Sequence, residues 1–302
     1  KGSKSVAIGR NALGTQNFTT ATDTYNTAVG FQAGVAVTTG LRNTFAGGES
    51  GDATNTGDDN TFIGYAAGGA HTTSDDNTAL GSFALTGAVT GAANTGIGRS
   101  SLAAVTSGAY NTGLGYLAGN SITTGLRNTI IGYNNDTSSV SGQDQVVIGN
   151  GTSGAGNDTA AIGGDLGRCF IGLDGSDTSW GADSDERLKK DIKDATAGLS
   201  FINDLRPVTY KWKAKNEIDS SLPRYDADSS DPVNGKDLTY HGFIAQEIKA
   251  SIDKSSDIPD GQHFWGEDDS GVQNVSPGDL IPILVKAIQE LSAEIETLKS
   301  GG

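Results

Sequence analysis

The strongest constraint on this chain is a motif, Asn-Thr-x-x-Gly, that returns every 17 residues. Its asparagines are Asn26, Asn43, Asn60, Asn77, Asn94, Asn111 and Asn128. The same register holds glycines at Gly30, Gly47, Gly64, Gly81, Gly98, Gly115, Gly132 and Gly149. A fixed period of this kind is typical of a solenoid, in which each coil covers the apolar residues of the next. We therefore expect a parallel β-solenoid in this part of the chain.

Each repeat carries a second turn signal three residues before the asparagine. This position is glycine in most repeats, and Asp23 and Ser74 are the exceptions. Short strand-like pieces such as Thr61-Phe62-Ile63 lie between the turns, so the pattern predicts two turns and two short strands per repeat. The glycines that end the motif indicate a positive φ or a close approach between coils. The asparagines are expected to bond their own backbone or to form a ladder from coil to coil.

Few large apolar residues occupy each coil, with one aromatic such as Phe31, Tyr65 or Tyr116. A single stack of such coils has little core, which favours several chains packing side by side. Cys169 is the single cysteine and has no intrachain partner for a disulfide. Since the chain contains no Met and opens at Lys1 in mid-pattern, we expect it to be a fragment without a signal peptide.

Charge and hydropathy exclude two classes of partner. The net charge of −15 and the pI near 4.4 repel nucleic-acid phosphates and anionic membrane surfaces. No apolar run approaches the ~20 residues of a transmembrane helix. We therefore expect no nucleic-acid partner and no membrane insertion.

The period breaks after Gly149 and the composition changes near residue 182, where Lys, Glu and Pro become frequent. This predicts a solenoid shaft over residues 1–164, a neck or linker over 165–183 and a second domain over 184–302. Phe170 and Trp180 of the neck are expected to pack on the end of the shaft.

The last segment predicts a coiled-coil helix over about residues 276–299. Its apolar residues alternate steps of three and four, which is a heptad seam: Ile281, Leu284, Ile288, Leu291, Ile295 and Leu298. Ile at one seam position and Leu at the other favour two strands in simple coiled coils. A seam of under three heptads is weak evidence beside the resemblances described next, which imply a homotrimer.

Two resemblances extend this interpretation. The segment Ser5-Val6-Ala7-Ile8-Gly9 and the repeated Asn-Thr-x-Ile/Val-Gly resemble the head repeats of trimeric autotransporter adhesins and related phage tail fibres. This implies a left-handed parallel β-roll in a trimer over residues 1–165, although the adhesin repeat is shorter than 17 residues. Three later segments resemble the endosialidase-type intramolecular chaperone, a serine peptidase family at the C-terminus of phage tailspikes and fibres. They are residues 184–192, 205–212 and 241–247, which read SDERLKKDI, LRPVTYKW and HGFIAQE.

The second resemblance implies an α+β chaperone domain that is cut in cis, once, after the trimer has folded. By this resemblance Ser184 is the nucleophile, Ser184-Asp185 the scissile bond and Lys189 the general base of a Ser-Lys dyad, without metal or cofactor. Supporting roles fall to Glu186, His241, Gln246 and Glu247. Four aromatics are expected in the core of this domain: Tyr210, Trp212, Tyr240 and Phe243.

The residues alone also allow Ser184 to be the N-cap of a helix that begins at Asp185. In a regular helix Ser184 and Lys189 would lie about 140° apart around the axis. A dyad therefore requires irregular backbone at 184–186, or a lysine from a neighbouring chain.

The function expected from these features is a trimeric fibre of a virion tail or another extracellular fibre, with a host receptor or glycan as partner. Its C-terminal domain would direct folding and then be released by cleavage. The alternative is an adhesive fibre whose C-terminal domain stays as a permanent trimerisation cap. Ice binding by the solenoid is a third and weaker interpretation, because no row of Thr-x-Thr segments lies on one face.

Overall fold

The computed structural model describes residues 2–165, 167–175, 177, 179–258 and 264–301. The chain divides into two compact units, Lys1–Leu188 and Lys189–Gly302. In the described part, the first unit holds only strands and one 3-10 turn. The second unit mixes helices with short antiparallel strand pairs.

The first unit is a ladder of short strands. They are β1 (Gly2–Ser3), β2 (Val6–Ile8), β3 (Thr22–Asp23), β4 (Thr27–Val29), β5 (Thr44–Ala46), β6 (Thr61–Ile63), β7 (Thr78–Leu80), β8 (Thr95–Ile97), β9 (Thr112–Leu114), β10 (Thr129–Tyr133), β11 (Val146–Asn150), β12 (Thr159–Gly164), β13 (Gly167–Gly172) and β14 (Gly181–Ala182). Twelve of them, all but β1 and β3, form one sheet in which chain neighbours are sheet neighbours. The pairs from β2 to β12 are parallel, and Thr27 faces Thr44, which faces Thr61. The predicted parallel β-solenoid is therefore confirmed.

The prediction of two strands per repeat is wrong for most coils. Each repeat from β4 to β11 contributes one strand to the sheet, and the second segment appears only as isolated bridges such as Ala109 to Leu126. The reason is a left-handed residue directly before each asparagine, for example Arg42 with φ of 56° and Asp59 with φ of 58°. A positive φ interrupts an extended run, so the rest of the coil is made of turns.

The asparagines form a buried polar ladder along the shaft. In the coil of Asn94, the side-chain Oδ1 accepts the backbone N–H of Asn111 at 3.1 Å and Nδ2 donates to the carbonyl of Gly108 at 2.9 Å. The same pair of bonds links Asn43 to Asn60 and Gly57 in an earlier coil. The seven asparagines are almost completely buried. The ladder predicted from the repeat is therefore confirmed, and it satisfies backbone groups that lie between coils.

The glycine that ends each motif is required by the stacking of the coils. Gly81 has φ of 135°, and a Cβ at this position would lie 2.7 Å from the carbonyl carbon of Gly98 in the next coil. No real side chain tolerates that distance to backbone. The prediction that glycine is needed at this corner is confirmed, since both the dihedral angle and the close approach exclude other residues.

The shaft core is filled by small and large residues that compensate for each other. Phe45 and Phe62 occupy the middle of their strands, and a Cβ at Gly51 or Gly68 would collide with their rings. In later coils the sizes are exchanged. Gly96 and Gly113 stand in the strands, and the residues that fill the space beside them are Leu85 and Leu102. The aromatics named from the sequence, Phe31, Tyr65 and Tyr116, lie instead at the surface.

The segment predicted as a neck contains β13 and β14, which close the sheet. β12 pairs with β13, and β13 with β14, in antiparallel fashion. Phe170 lies against Gly181, whereas Trp180 is half exposed, so packing of Trp180 on the shaft end is not confirmed. Three residues of this segment, Leu166, Ser176 and Thr178, lie outside the described part.

The second unit is the predicted α+β domain. Its elements are α1 (Leu199–Asp204), β15 (Val208–Tyr210), β16 (Tyr240–Gly242), α2 (Ala245–Lys254), β17 (Trp265–Glu267), β18 (Gln273–Val275) and α3 (Ile281–Ser300). β15 pairs with β16 and β17 with β18, both antiparallel. The core consists of Phe201, Ile248, Ile252, Phe264 and Leu280.

The four aromatics expected in this core are mostly elsewhere. Phe243 packs on its edge. Tyr210 stacks on Tyr240 with ring centroids 5.8 Å apart and meets Trp212 edge-on at 5.6 Å. Because Trp212 is exposed, this trio covers the β15–β16 pair instead of filling the core.

The C-terminal helix agrees with its predicted bounds. A 3-10 turn over Pro277–Leu280 leads into α3, and Pro282 lies in its first turn, where a missing N–H is tolerated. Ile283 and Ala287 are turned toward the domain, whereas all six predicted seam residues are between 41% and 78% exposed. Among the described residues, no helix is long and apolar enough to cross a membrane.

Candidate self-cleavage site

The predicted scissile bond lies in irregular backbone just after the last strand of the shaft. β14 ends at Ala182, residues 183–185 have no regular structure, and a 3-10 turn covers Glu186–Leu188. Ser184, Asp185, Glu186 and Lys189 are all exposed. Exposure leaves the bond accessible to a catalytic group or to water.

Asp185 organises the turn that follows the scissile bond. Its Oδ1 accepts the backbone N–H of Arg187 at 2.9 Å and the Nε–H of the same residue at 2.9 Å. The hydrogen bonds from the Arg187 side chain and backbone hold the pKa of Asp185 below its ordinary value. The backbone N–H of Leu188 donates to the Asp185 carbonyl at 3.1 Å and closes the turn.

This geometry does not support the alternative role of Ser184 as a helix cap. The turn is three residues long, and the residue that directly precedes it is Asp185, whose carboxylate takes the capping bond. No regular helix runs from Ser184 to Lys189. The irregular backbone that a Ser-Lys dyad requires is therefore present. Ser184 belongs to the first unit, and Lys189 is the first residue of the second.

The predicted supporting residues lie on two elements of the second unit. His241 is exposed in β16, opposite Thr209, and Gln246 is exposed in the first turn of α2. Glu247 is engaged in a two-pronged ion pair with Arg206, with 2.9 Å between Nε and Oε2 and a shorter contact between Nη2 and Oε1. The Arg206 hydrogen bonds lower the pKa of Glu247. Glu247 therefore ties α2 to the segment before β15.

The sequence analysis did not identify two further residues of structural importance. Glu290 in α3 accepts the backbone N–H of Leu199 at 2.7 Å and so caps α1 from a distance of 91 residues. Arg206 lies in a quoted motif, but its partner is 41 residues away. Neither spacing leaves a local pattern, so no sequence signal marks them.

A polar depression of about 240 Å³ lies on the first unit next to the predicted scissile bond. It is lined by Gly151, Thr152, Ser153, Gly164, Asp165, Gly167, Arg168 and Asp183. Within the described part of the chain, Thr152 Oγ1 and Arg168 Nε are buried without a hydrogen-bond partner. The described residues include no cluster of three or more His, Cys, Asp or Glu that could hold a metal.

A solenoid shaft followed by a small α+β unit with an exposed C-terminal heptad seam defines a fibre-type protein with a C-terminal assembly domain. Residues 184–256 match the family described as the chaperone of endosialidase. The family is a chaperone domain of the self-cleaving serine-peptidase type, and the match supports the family resemblance of the sequence motifs. Comparisons with curated proteins and with solved structures gave no match.

Proposed function

We propose that the chain is part of a homotrimeric fibre whose C-terminal domain directs trimer folding and is then released by cleavage between Ser184 and Asp185. The observation that carries this proposal is where the family match begins. Its first residue is Ser184, two residues beyond β14, the last strand of the shaft sheet. A cut at this place leaves every shaft strand on the released fibre.

The proposed reaction is the hydrolysis of one peptide bond in cis, with Ser184 as nucleophile and Lys189 as general base. Lys189 takes the proton of the Ser184 hydroxyl while the Ser184 Oγ attacks the carbonyl carbon of the same residue. The bond to Asp185 then breaks, and the Asp185 amine leaves with the proton. Attack within one residue closes a four-membered lactone, which water opens to give a carboxylate on Ser184.

The dependence of cleavage on assembly follows from the position of the base. A lysine serves as a base only in its neutral amine form, and removing water from the side chain favours that form over the ammonium. Lys189 is exposed in the single chain, so contacts with other copies must supply that desolvation. We therefore expect the chain to be cut in the trimer and to stay uncut as a monomer.

Two exposed apolar surfaces support assembly from several copies. One is the heptad seam of α3, from Ile281 to Leu298. The other is the outer face of the shaft strands, where side chains such as Val29, Leu80 and Leu114 are about two-fifths exposed. Contiguous apolar surfaces of this kind mark protein–protein contacts. We assign three copies because the family is a trimer-building chaperone.

A fibre of this kind belongs outside the cell, and we propose a virion tail or another extracellular fibre, with a host receptor or glycan as partner. Removal of the chaperone domain would leave the shaft kinetically trapped, because an unfolded shaft has lost the domain that aligned its chains. The catalytic domain therefore acts once, on its own chain, with no cofactor.

The decisive experiment is the intact mass of the freshly purified full-length protein beside its Ser184→Ala variant. We expect the wild-type protein to split into residues 1–184 and 185–302 while the variant stays whole. If both stay whole in a stable trimer, the domain is a permanent cap and the protein is an adhesive fibre. If both are cut at the same bond, Ser184 is not the nucleophile.

A further inference from the structure

Arg168 lies beside the residue that precedes the scissile serine. The antiparallel register pairs Cys169 with Ala182 and Phe170 with Gly181, so the next step along both strands brings Arg168 to Asp183. There Arg168 Nη2 donates to Asp183 Oδ1 at 3.3 Å. Asp183 is followed directly by Ser184.

The same guanidinium is anchored in the last turns of the shaft. Arg168 Nη1 donates to the carbonyl oxygens of Ser153 at 2.6 Å and Gly154 at 2.5 Å. These carbonyls follow β11 in the chain, well before the strands that close the sheet. Arg168 therefore joins a completed part of the solenoid to the segment that carries the scissile bond.

We infer that Arg168 is a positioning residue for the self-cleavage proposed above, on which this inference rests. Its bond to Asp183 fixes the backbone just before Ser184 in one conformation. Anchoring a reacting segment removes conformational freedom that would otherwise be lost in reaching the transition state. Because the anchor includes the Ser153 and Gly154 carbonyls, it exists only after that part of the shaft has folded. The clamp thereby makes cleavage faster once the last coil of the shaft has folded.

The two halves of this clamp have separable structural roles. The Arg168 side chain is 24% exposed and satisfies two shaft carbonyls, whereas the Asp183 side chain is 39% exposed and lies beyond the last strand. Loss of the Asp183 carboxylate therefore leaves the bonds from Arg168 to the shaft in place. Asp183→Asn tests positioning without disturbing the fold of the shaft.

The experiment follows synthesis of the full chain in a cell-free translation system. Aliquots are scored in parallel for trimer on native gels and for the fraction cut on denaturing gels, which gives the first-order rate of cutting within the trimer. The variants are Asp183→Asn, Arg168→Gln, Arg168→Lys and the double variant. Arg127→Gln is the matched control, since it removes an Arg–Asp pair of the shaft, with 2.6 Å between Arg127 Nη2 and Asp144 Oδ2, far along the chain from the cut.

We expect trimers to form at the wild-type rate in Asp183→Asn and cutting to slow by about fivefold or more, as for loss of one charged contact in a transition state. Arg168→Gln should slow cutting at least as much, and Arg168→Lys should recover part of the rate. The double variant should be no slower than Arg168→Gln, because the two residues act as one unit. Arg127→Gln should cut at the wild-type rate.

Cutting of Asp183→Asn at the wild-type rate would overturn the inference, even if Arg168→Gln failed to assemble. Equal slowing in Arg127→Gln would also overturn it, since any shaft ion pair would then have the same effect. These outcomes leave the proposed function intact as long as Ser184→Ala abolishes cutting. A wild-type chain that is never cut removes both.

Discussion

Acidification is expected to destabilise the shaft through one residue, His71. This side chain is fully buried, and neither ring nitrogen has a hydrogen-bond partner within the described part of the chain. Its ring packs against Phe62 with centroids 4.7 Å apart. Desolvation by this apolar site lowers the pKa of His71 from 6.5 to about 4. The folded shaft therefore holds the imidazole neutral at pH values where the unfolded chain would protonate it.

The sign and size of the effect follow from proton linkage. The free energy of unfolding is not reduced by His71 above pH 6.5. It decreases as the pH falls from 6.5 toward 4, because only the unfolded chain binds the proton in that range. Below pH 4 the folded state binds it too, and no further loss is expected. With 1.36 kcal/mol for each pH unit, the loss amounts to about 3 kcal/mol per chain.

The assay compares the free energy of unfolding with and without His71→Val in guanidinium chloride, at about pH 7 and about pH 4. Both proteins also carry Ser184→Ala, so that the chain stays whole and keeps the domain that aligns its copies on refolding. Valine is the matched replacement because Val37 and Val105 occupy the equivalent buried position in other coils, with the same backbone hydrogen bond to the residue three before. The carboxylates titrate in both proteins, so their effects cancel in the difference. The valine variant should gain about 3 kcal/mol in free energy of unfolding relative to the protein with His71 when the pH is lowered from about 7 to about 4.

A difference that stays constant with pH, within about 0.5 kcal/mol, would refute the reasoning. It would mean that the folded shaft protonates His71 as easily as the unfolded chain does. Thr54 fills the same position one coil earlier, and its hydroxyl is also buried without a described partner. Since Thr54 does not titrate in this range, Thr54→Val is the control that should change stability equally at both pH values.

Three further predictions concern the ladder, the corner glycine and the seam. Asn94→Ala should lower the free energy of unfolding by about 2–4 kcal/mol, because the Asn111 N–H and the Gly108 carbonyl lose their partner; an unchanged denaturation midpoint would contradict this. Gly81→Ala should cost about 3 kcal/mol or more through backbone displacement at Gly98, and Gly278→Ala, where a Cβ meets nothing, is the neutral comparison. Ile288→Asp on the exposed seam should give monomers by analytical ultracentrifugation and leave the chain uncut, whereas the exposed Glu296→Gln should do neither.

Much of the shaft could be predicted from the sequence because its constraints are local and repeated. A buried asparagine and a corner glycine each impose one backbone requirement per coil, and a period of 17 carries these requirements to the next coil. The number of strands per coil could not be predicted in this way. Arg42 and Arg127 have left-handed backbones, yet nothing in this residue type indicates a positive φ.

From the sequence, residues of the candidate site could be proposed only where they belong to a family motif. The roles predicted for Ser184, Asp185 and Lys189 depend on a family motif alone, and the family match begins at Ser184. The clamp from Arg168 to Asp183 and the cap from Glu290 to Leu199 depend on strand register and on helix packing. Such contacts join residues whose separation along the chain is arbitrary, so periodicity and propensity give no indication of them.

The exchange of large and small residues inside the shaft limits how the fibre can change length. Deleting residues 45–61 would place Phe62 where Phe45 now fills the space beside Gly34, so the volume is conserved. Deleting residues 79–95 removes Leu85, which now packs beside Gly96, and brings Gly96 next to Gly68 instead, so the space that the leucine side chain fills is left empty. Unequal recombination between repeats would therefore be tolerated within a run of matched coils and selected against at its borders. The length of such a shaft can evolve in whole units, but only at certain places along it.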